Sequence, residues 1–71
     1  MNEIPIRGDM IRLGQLLKLS GLAEDGVHAK EILANEHVFV NGERDNRRGR
    51  QLVPGDEVNI DGTKLRVVSG G

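Results

Sequence analysis

The spacing of apolar residues changes period once along this chain, at Val38, and that change limits the fold more than any other feature. Upstream, Leu13, Leu16 and Leu17 stand at i, i+3 and i+4, and Ala29, Ile32 and Leu33 repeat the spacing. That is the period of a single helical face. Downstream, Val38 and Val40 alternate, as do Val58 and Ile60, then Leu65 and Val67. Alternation is the period of a half-buried strand. Residues 3–7, EIPIR, add a short extended segment that Pro5 confines to an edge. The order strand, helix, helix, strands predicts an α+β fold, with two helices packed on a small, mostly antiparallel sheet.

Punctuation residues set the expected boundaries. Asp9 is placed to cap the first helix and Gly21 to stop it; Asp25 or Glu24 caps the second, and Asn35 is suited to a left-handed end. Asn41-Gly42 and Asp61-Gly62 are hairpin turns, and Val53-Pro54-Gly55-Asp56 fits a type II turn. Ser69-Gly70-Gly71 reads as a frayed end. Gly14 lies inside the first helix, where glycine costs about 1 kcal/mol relative to alanine. The expected compensation is close approach of another backbone.

Seventy-one residues suit one small domain, 1–71, with no internal repeat or linker. There is no cysteine, hence no disulfide and no thiolate, which fits a cytoplasmic location. The start, MNEIPIRGD, carries acidic residues and is not expected to be a signal peptide. No apolar run approaches the ~20 residues of a membrane span, so no membrane role is expected. His28 and His37 have no nucleophile or cysteine placed with them by a motif, and the adjacent pairs Glu24-Asp25 and Asp56-Glu57 sit where caps and turns belong. Neither an enzyme nor a metal or cofactor site is expected.

One segment stands apart. RDNRRGR, residues 44–50, holds four of the ten basic residues of a chain whose formal charge is -1. Arg44, Arg47, Arg48 and Arg50 lie between two turns with little apolar content to hold them. A charge run is usually a solvated loop, but this one uses arginine alone, and arginine grips phosphate with two parallel hydrogen bonds. Lys30 on the second helix, with Lys18 and Arg12 on the first, could widen the patch. Phe39 is the single aromatic residue. Single-stranded nucleic acid is commonly bound by stacking on aromatic platforms, so a nucleic-acid ligand of this chain is expected to be recognised by charge and shape.

The residues together resemble a known family. Arg12-Leu13, Ala29-Lys30, Ile32-Leu33, Val38-Phe39-Val40-Asn41-Gly42 and Pro54-Gly55-Asp56 are similar to the pattern of the S4 RNA-binding domain, over about residues 10–68. The nearest likeness is to the small free-standing bacterial S4-like proteins, with which the chain shares Leu16–Gly21 and the Gly26–Lys30 signature. The resemblance implies an S4-like αL arrangement and non-catalytic binding of structured RNA, ribosomal or tRNA-like, with ribosomal particles among the partners and a monomeric protein. Arg12, Lys18, Lys30, Arg47, Arg48 and Arg50 are the expected RNA contacts. The chain departs from the pattern at Asp25-Gly26, where many S4 domains have Ser-Arg, at Gly14 in place of a common Asp, and at Glu36 in place of a glycine. The burden of binding therefore shifts from the helices to the arginine segment.

Two other readings remain open at this level. The C-terminal half also resembles small ubiquitin-like sulfur carriers, whose terminal Gly-Gly is adenylated, and Gly70-Gly71 fits that role by position. Two consecutive helices before the VNG strand and the arginine cluster count against it. A protein-interaction module without RNA binding is the other, favoured by Gly26 and the net charge.

Overall fold

In the computed structural model, residues 2–70 are described. The expected order is present: β1 (Asn2–Ile6), β2 (Ile11–Arg12), α1 (Leu13–Leu19), α2 (Gly26–Asn35), then β3 (Val38–Val40), β4 (Glu43–Arg44), β5 (Gln51–Leu52), β6 (Glu57–Ile60) and β7 (Thr63–Ser69). Five strands form the main sheet in the order β1-β7-β6-β3-β4, and β2 pairs with β5 in a separate two-stranded ribbon. All pairings are antiparallel except β1 with β7, which run parallel from Asn2 opposite Leu65 to Ile6 opposite Ser69. Pro5 sits on that edge strand, where its missing N–H is tolerated.

The two sequence periods meet in one core. Leu13, Leu16 and Leu17 of α1 and Ala29, Ile32 and Leu33 of α2 pack with Val38, Val40, Val58, Ile60, Leu65 and Val67 of the sheet. Leu52 of β5 is fully buried among them. The core is aliphatic throughout. Phe39 alternates to the opposite face of the sheet and is only half-buried. No helix among the described residues is long and apolar enough to cross a membrane.

Three boundaries differ from the sequence expectation. Asp9 does not cap α1. Ile11 is drawn into the pairing with Leu52, so the chain stays extended through Arg12, which occupies the cap position at φ -88°. Arginine has no acceptor to offer, and Gln15 compensates by accepting from the Arg12 N–H through Oε1 at 3.2 Å. Asn35 does not turn left-handed; it closes α2, and Glu36 straightens at φ -111° because β3 begins two residues later. The segment before Gly71 is not frayed: Ser69 ends β7, and the Gly70 N–H donates to the Ile6 carbonyl at 3.0 Å. Gly71 lies outside the described residues. Other punctuation behaves as expected. Asp25 accepts the His28 N–H at 2.8 Å, and Gly21 follows α1 at φ 85°.

The Asn41-Gly42 and Pro54-Gly55-Asp56 turns are tied to each other. Asn41 takes φ 51° and Gly42 φ 84°, while Gly55 takes φ 101° with the Asp56 N–H donating to the Val53 carbonyl. The Asn41 amide donates to Asp56 Oδ1 at 3.0 Å and its oxygen accepts from the Glu57 N–H at 2.9 Å. Asp56 Oδ2 accepts from the Val53 N–H at 2.8 Å. Replacing Asn41 by Gly should therefore remove two hydrogen bonds but keep the turn, costing about 1–2 kcal/mol. Asn41→Ala adds the strain of a left-handed backbone, roughly 1 kcal/mol more. Urea unfolding of the two variants checks the ranking; equal stability of both with the parent would contradict it.

Candidate nucleic-acid interface

The arginine segment is an ordered loop. As the chain leaves β4, the Asp45 N–H donates to the Val38 carbonyl at 3.0 Å and turns the Asp45 side chain inward. That side chain is 7% exposed. Its carboxylate collects four hydrogen bonds: from the Arg47 N–H at 2.9 Å, from Arg47 Nε at 3.1 Å and Nη2 at 2.8 Å, and from Arg50 Nη1 at 2.8 Å. The Arg47 fork above all holds the Asp45 carboxyl well below the usual carboxylate range, with the Arg47 backbone and Arg50 adding to it against the opposing cost of burial.

The loop backbone is used as fully as its side chains. The first amides of α1 have no partner within the helix. Leu13 N–H donates to the Arg50 carbonyl at 2.8 Å, and Gly14 N–H to the Arg48 carbonyl at 3.0 Å. Arg12 Nη1 reaches the Gly49 carbonyl at 3.1 Å. Three consecutive loop carbonyls thus face α1 and its cap residue. Gly14 permits this approach. A Cβ there would collide with the Arg48 stem and lie 3.4 Å from the Arg48 carbonyl oxygen. The close backbone expected from the sequence is the arginine loop itself.

The six expected contact residues fall into two groups. Arg12, Lys18 and Arg48 line a groove of about 320 Å³ between α1, the start of α2 and the loop, with Gly14, Gly26 and Ala29 as small residues within it. Arg48 also lines an adjoining groove of about 350 Å³, with Lys30, Leu33, Ala34 and Asn46. Four cations therefore meet along the face shared by the helices and the loop, and no Asp or Glu lines either groove. A Cβ at Gly26 would meet open space. Arg47 and Arg50 stand on the loop's other flank, with Gly49 and Gln51, and both are bound to Asp45. Arg47 remains largely exposed at 69%, Arg50 less so at 32%.

Sequence reasoning missed Asp45, which organises the loop, and Asn46, which lines the second groove. The available signal was an acid followed at i+2 and i+5 by arginines. His28 Nδ1 accepts the Glu24 N–H at 3.0 Å, which reinforces the start of α2. Among the described residues no three His, Asp or Glu side chains are grouped to hold a metal ion.

The sequence model of one family, the S4 domain, matches residues 4–68. The chain belongs to the S4 domain family. It is 51% identical over 61 residues to the "Probable ribosome maturation protein RlbA" of Bacillus subtilis (strain 168), covering 86% of each chain. It is 36% identical over 59 residues to the "Putative RNA-binding protein YbcJ" of Escherichia coli (strain K12), covering 83% of this chain and 84% of that one.

The Asp45 cluster predicts an acid-sensitive fold. The folded carboxyl titrates below its unfolded value of about 3.9, so its stabilising contribution is complete above that pH and is lost as pH falls toward the folded value. Asp45→Asn should lower stability at pH 7 by about 2 kcal/mol and flatten the decline below about pH 4. Thermal melts of both proteins across this range check it. Parallel pH profiles would mean that other carboxylates govern acid unfolding.

Proposed function

We propose that this protein binds structured RNA without catalysis, through the face formed by α1, α2 and the arginine loop. The observation that carries the reading is the meeting of Arg12, Lys18, Lys30 and Arg48 around two adjoining grooves with no carboxylate in their walls. Phosphate oxygens are the ligands that such a strip suits, and grooves with small residues in their walls admit a ribose-phosphate backbone closely. Arg47 and Arg50 flank the same loop and extend the positive field, although each also serves Asp45. Family membership and the names of the two relatives support RNA as the polyanion. The expected ligand is a ribosomal RNA or a tRNA-like fold, in the cytoplasm, with ribosomal particles among the partners and the protein acting as a monomer. The near absence of aromatic side chains favours folded RNA, which is read by shape and phosphate geometry. The sulfur-carrier alternative has less support, since the Gly70 amide is tied to the Ile6 carbonyl and Gly70 packs on Pro5. Deleting Gly70 and Gly71 is expected to leave RNA affinity intact.

Affinity for a hairpin RNA should fall steeply with salt, with a log-log slope reflecting about three to five phosphate contacts. Arg48→Ala should weaken binding about 5–10-fold, the loss of one or two phosphate contacts, with little change in melting temperature. Arg50→Ala should lower the melting temperature as well, because it strips a partner from a buried carboxylate. Filter binding at several salt concentrations and thermal melts separate the two effects. A flat salt dependence would remove phosphate as the main ligand.

A further inference from the structure

The face of the sheet turned away from the helices carries an arrangement that the helix-and-loop site does not use. Directly opposite residues share a face, and the register sets Arg44 of β4, Phe39 of β3, Asn59 of β6 and Lys64 of β7 in one row. Phe39 is the chain's single aromatic residue, and it stands in this row rather than in the core. It lines a groove of about 370 Å³ with Gly42, Glu57, Asn59 and Lys64. Glu57 is engaged by Arg66 at 2.8 Å, whereas Arg44 and Lys64 form no ion pair among the described residues. Asn59 accepts the Gly62 N–H through its oxygen, which leaves its amide hydrogens to donate.

We propose that Phe39 stacks an unpaired nucleobase that flanks the structured part of the same RNA, with Arg44 and Lys64 on its phosphates and Asn59 at its edge. This rests on the RNA-binding reading above. The path is short. β4 is the edge of the main sheet, and Arg44 is followed at once by Asp45 and the arginine loop. A strand leaving the loop around that edge meets Arg44 and then the ring of Phe39. The charge fits the occupant: a ring with Arg44 beside it and Lys64 beyond Asn59 suits a base whose neighbouring phosphates meet the two cations, because stacking is sequence-tolerant and the cations take the backbone. An apolar protein partner would have to desolvate both cations.

The test compares a blunt hairpin RNA with the same hairpin carrying a short single-stranded extension, 2-aminopurine being its first unpaired base. The protein has no Trp or Tyr to obscure the probe. Wild type is expected to bind the extended RNA about 5–10-fold more tightly and to quench the probe, as one base stacked on one aromatic ring would. Phe39→Leu, which keeps an apolar cover on the strand, should erase both effects while leaving blunt-hairpin affinity unchanged. Phe39→Tyr should retain the preference, and Arg44→Ala should reduce it. The inference is overturned if wild type binds both RNAs equally, or if Phe39→Leu keeps the preference and the quenching, in which case the ring serves strand packing or a protein partner. If wild type binds neither RNA, the RNA-binding reading falls with it; binding of the blunt hairpin with no gain from the extension overturns only the role of Phe39.

Discussion

Asp45 surrenders most of its hydration to sit under the loop that follows β4, and its carboxylate survives there because four donors replace the lost water. A buried carboxylate left unpaired is strongly destabilising, so the arrangement ties Arg47 and Arg50 to one point and bends the intervening residues around it. That bend turns the carbonyls of Arg48, Gly49 and Arg50 toward α1, where two of them satisfy helix amides that no side chain could cap. The start of α1, the pairing of Ile11 with Leu52 and the placement of Arg48 over Gly14 all adjoin the same docked loop. Two charged side chains are committed to holding the loop so that Arg48 can face outward beside Arg12 and Lys18.

The net charge of -1 misleads about such a surface because several of the eleven acids are engaged in structure and none lines the helix-and-loop grooves. Asp25 caps α2, Asp45 anchors the loop, Asp56 joins two turns, and Glu57 pairs with Arg66 across neighbouring strands. Glu36 and Asp61 meet near the β6–β7 turn, where the hydrogen bond from Asp61 raises the Glu36 carboxyl above its usual range. None of these acids lines the helix-and-loop grooves, and Glu57, in the groove beside Phe39, is paired with Arg66. Local potential, set by position and pairing, decides whether a polyanion is attracted.

The order and faces of the elements were legible because they depend on local spacing. Leu13, Leu16 and Leu17 can share only a helical face, and Asn41-Gly42 and Asp61-Gly62 adopt the left-handed turns that their chemistry favours. Helix limits were less legible. Asp9 has the right side chain for a cap, yet long-range pairing at Ile11 delays the helix, and no local pattern records that pairing. The candidate site was legible only in outline. Arginine density marked the loop, and Gly14 signalled a close neighbour without naming it. The division of labour among the arginines was hidden, since it depends on which side of the loop each side chain leaves and on the burial of Asp45. The parallel contact of β1 with β7 was likewise invisible, being a pairing of residues more than sixty positions apart in sequence.

A phosphate-binding segment rich in arginine can be supplied as a disordered tail or as a fixed loop, and the energetic difference is the ordering that binding must impose. A free segment loses backbone and side-chain freedom on contact, about 0.5–1.5 kcal/mol for each long side chain immobilised. Here the backbone of residues 45–50 is already held at both ends and in the middle: to Val38 through the Asp45 amide, to α1 through three carbonyls or its cap residue, and to Asp45 through two guanidinium groups. The backbone share of that cost, with the side chains of Arg47 and Arg50, is met during folding, by hydrogen bonds that also complete the helix. The remaining freedom lies in the ends of Arg48, Lys18 and Lys30, which are exposed. A fixed backbone with exposed cationic tips fits the proposed ligand, a folded RNA whose phosphates have regular spacing. The arrangement also couples the site to stability, because whatever frees the loop from Asp45 also uncaps α1.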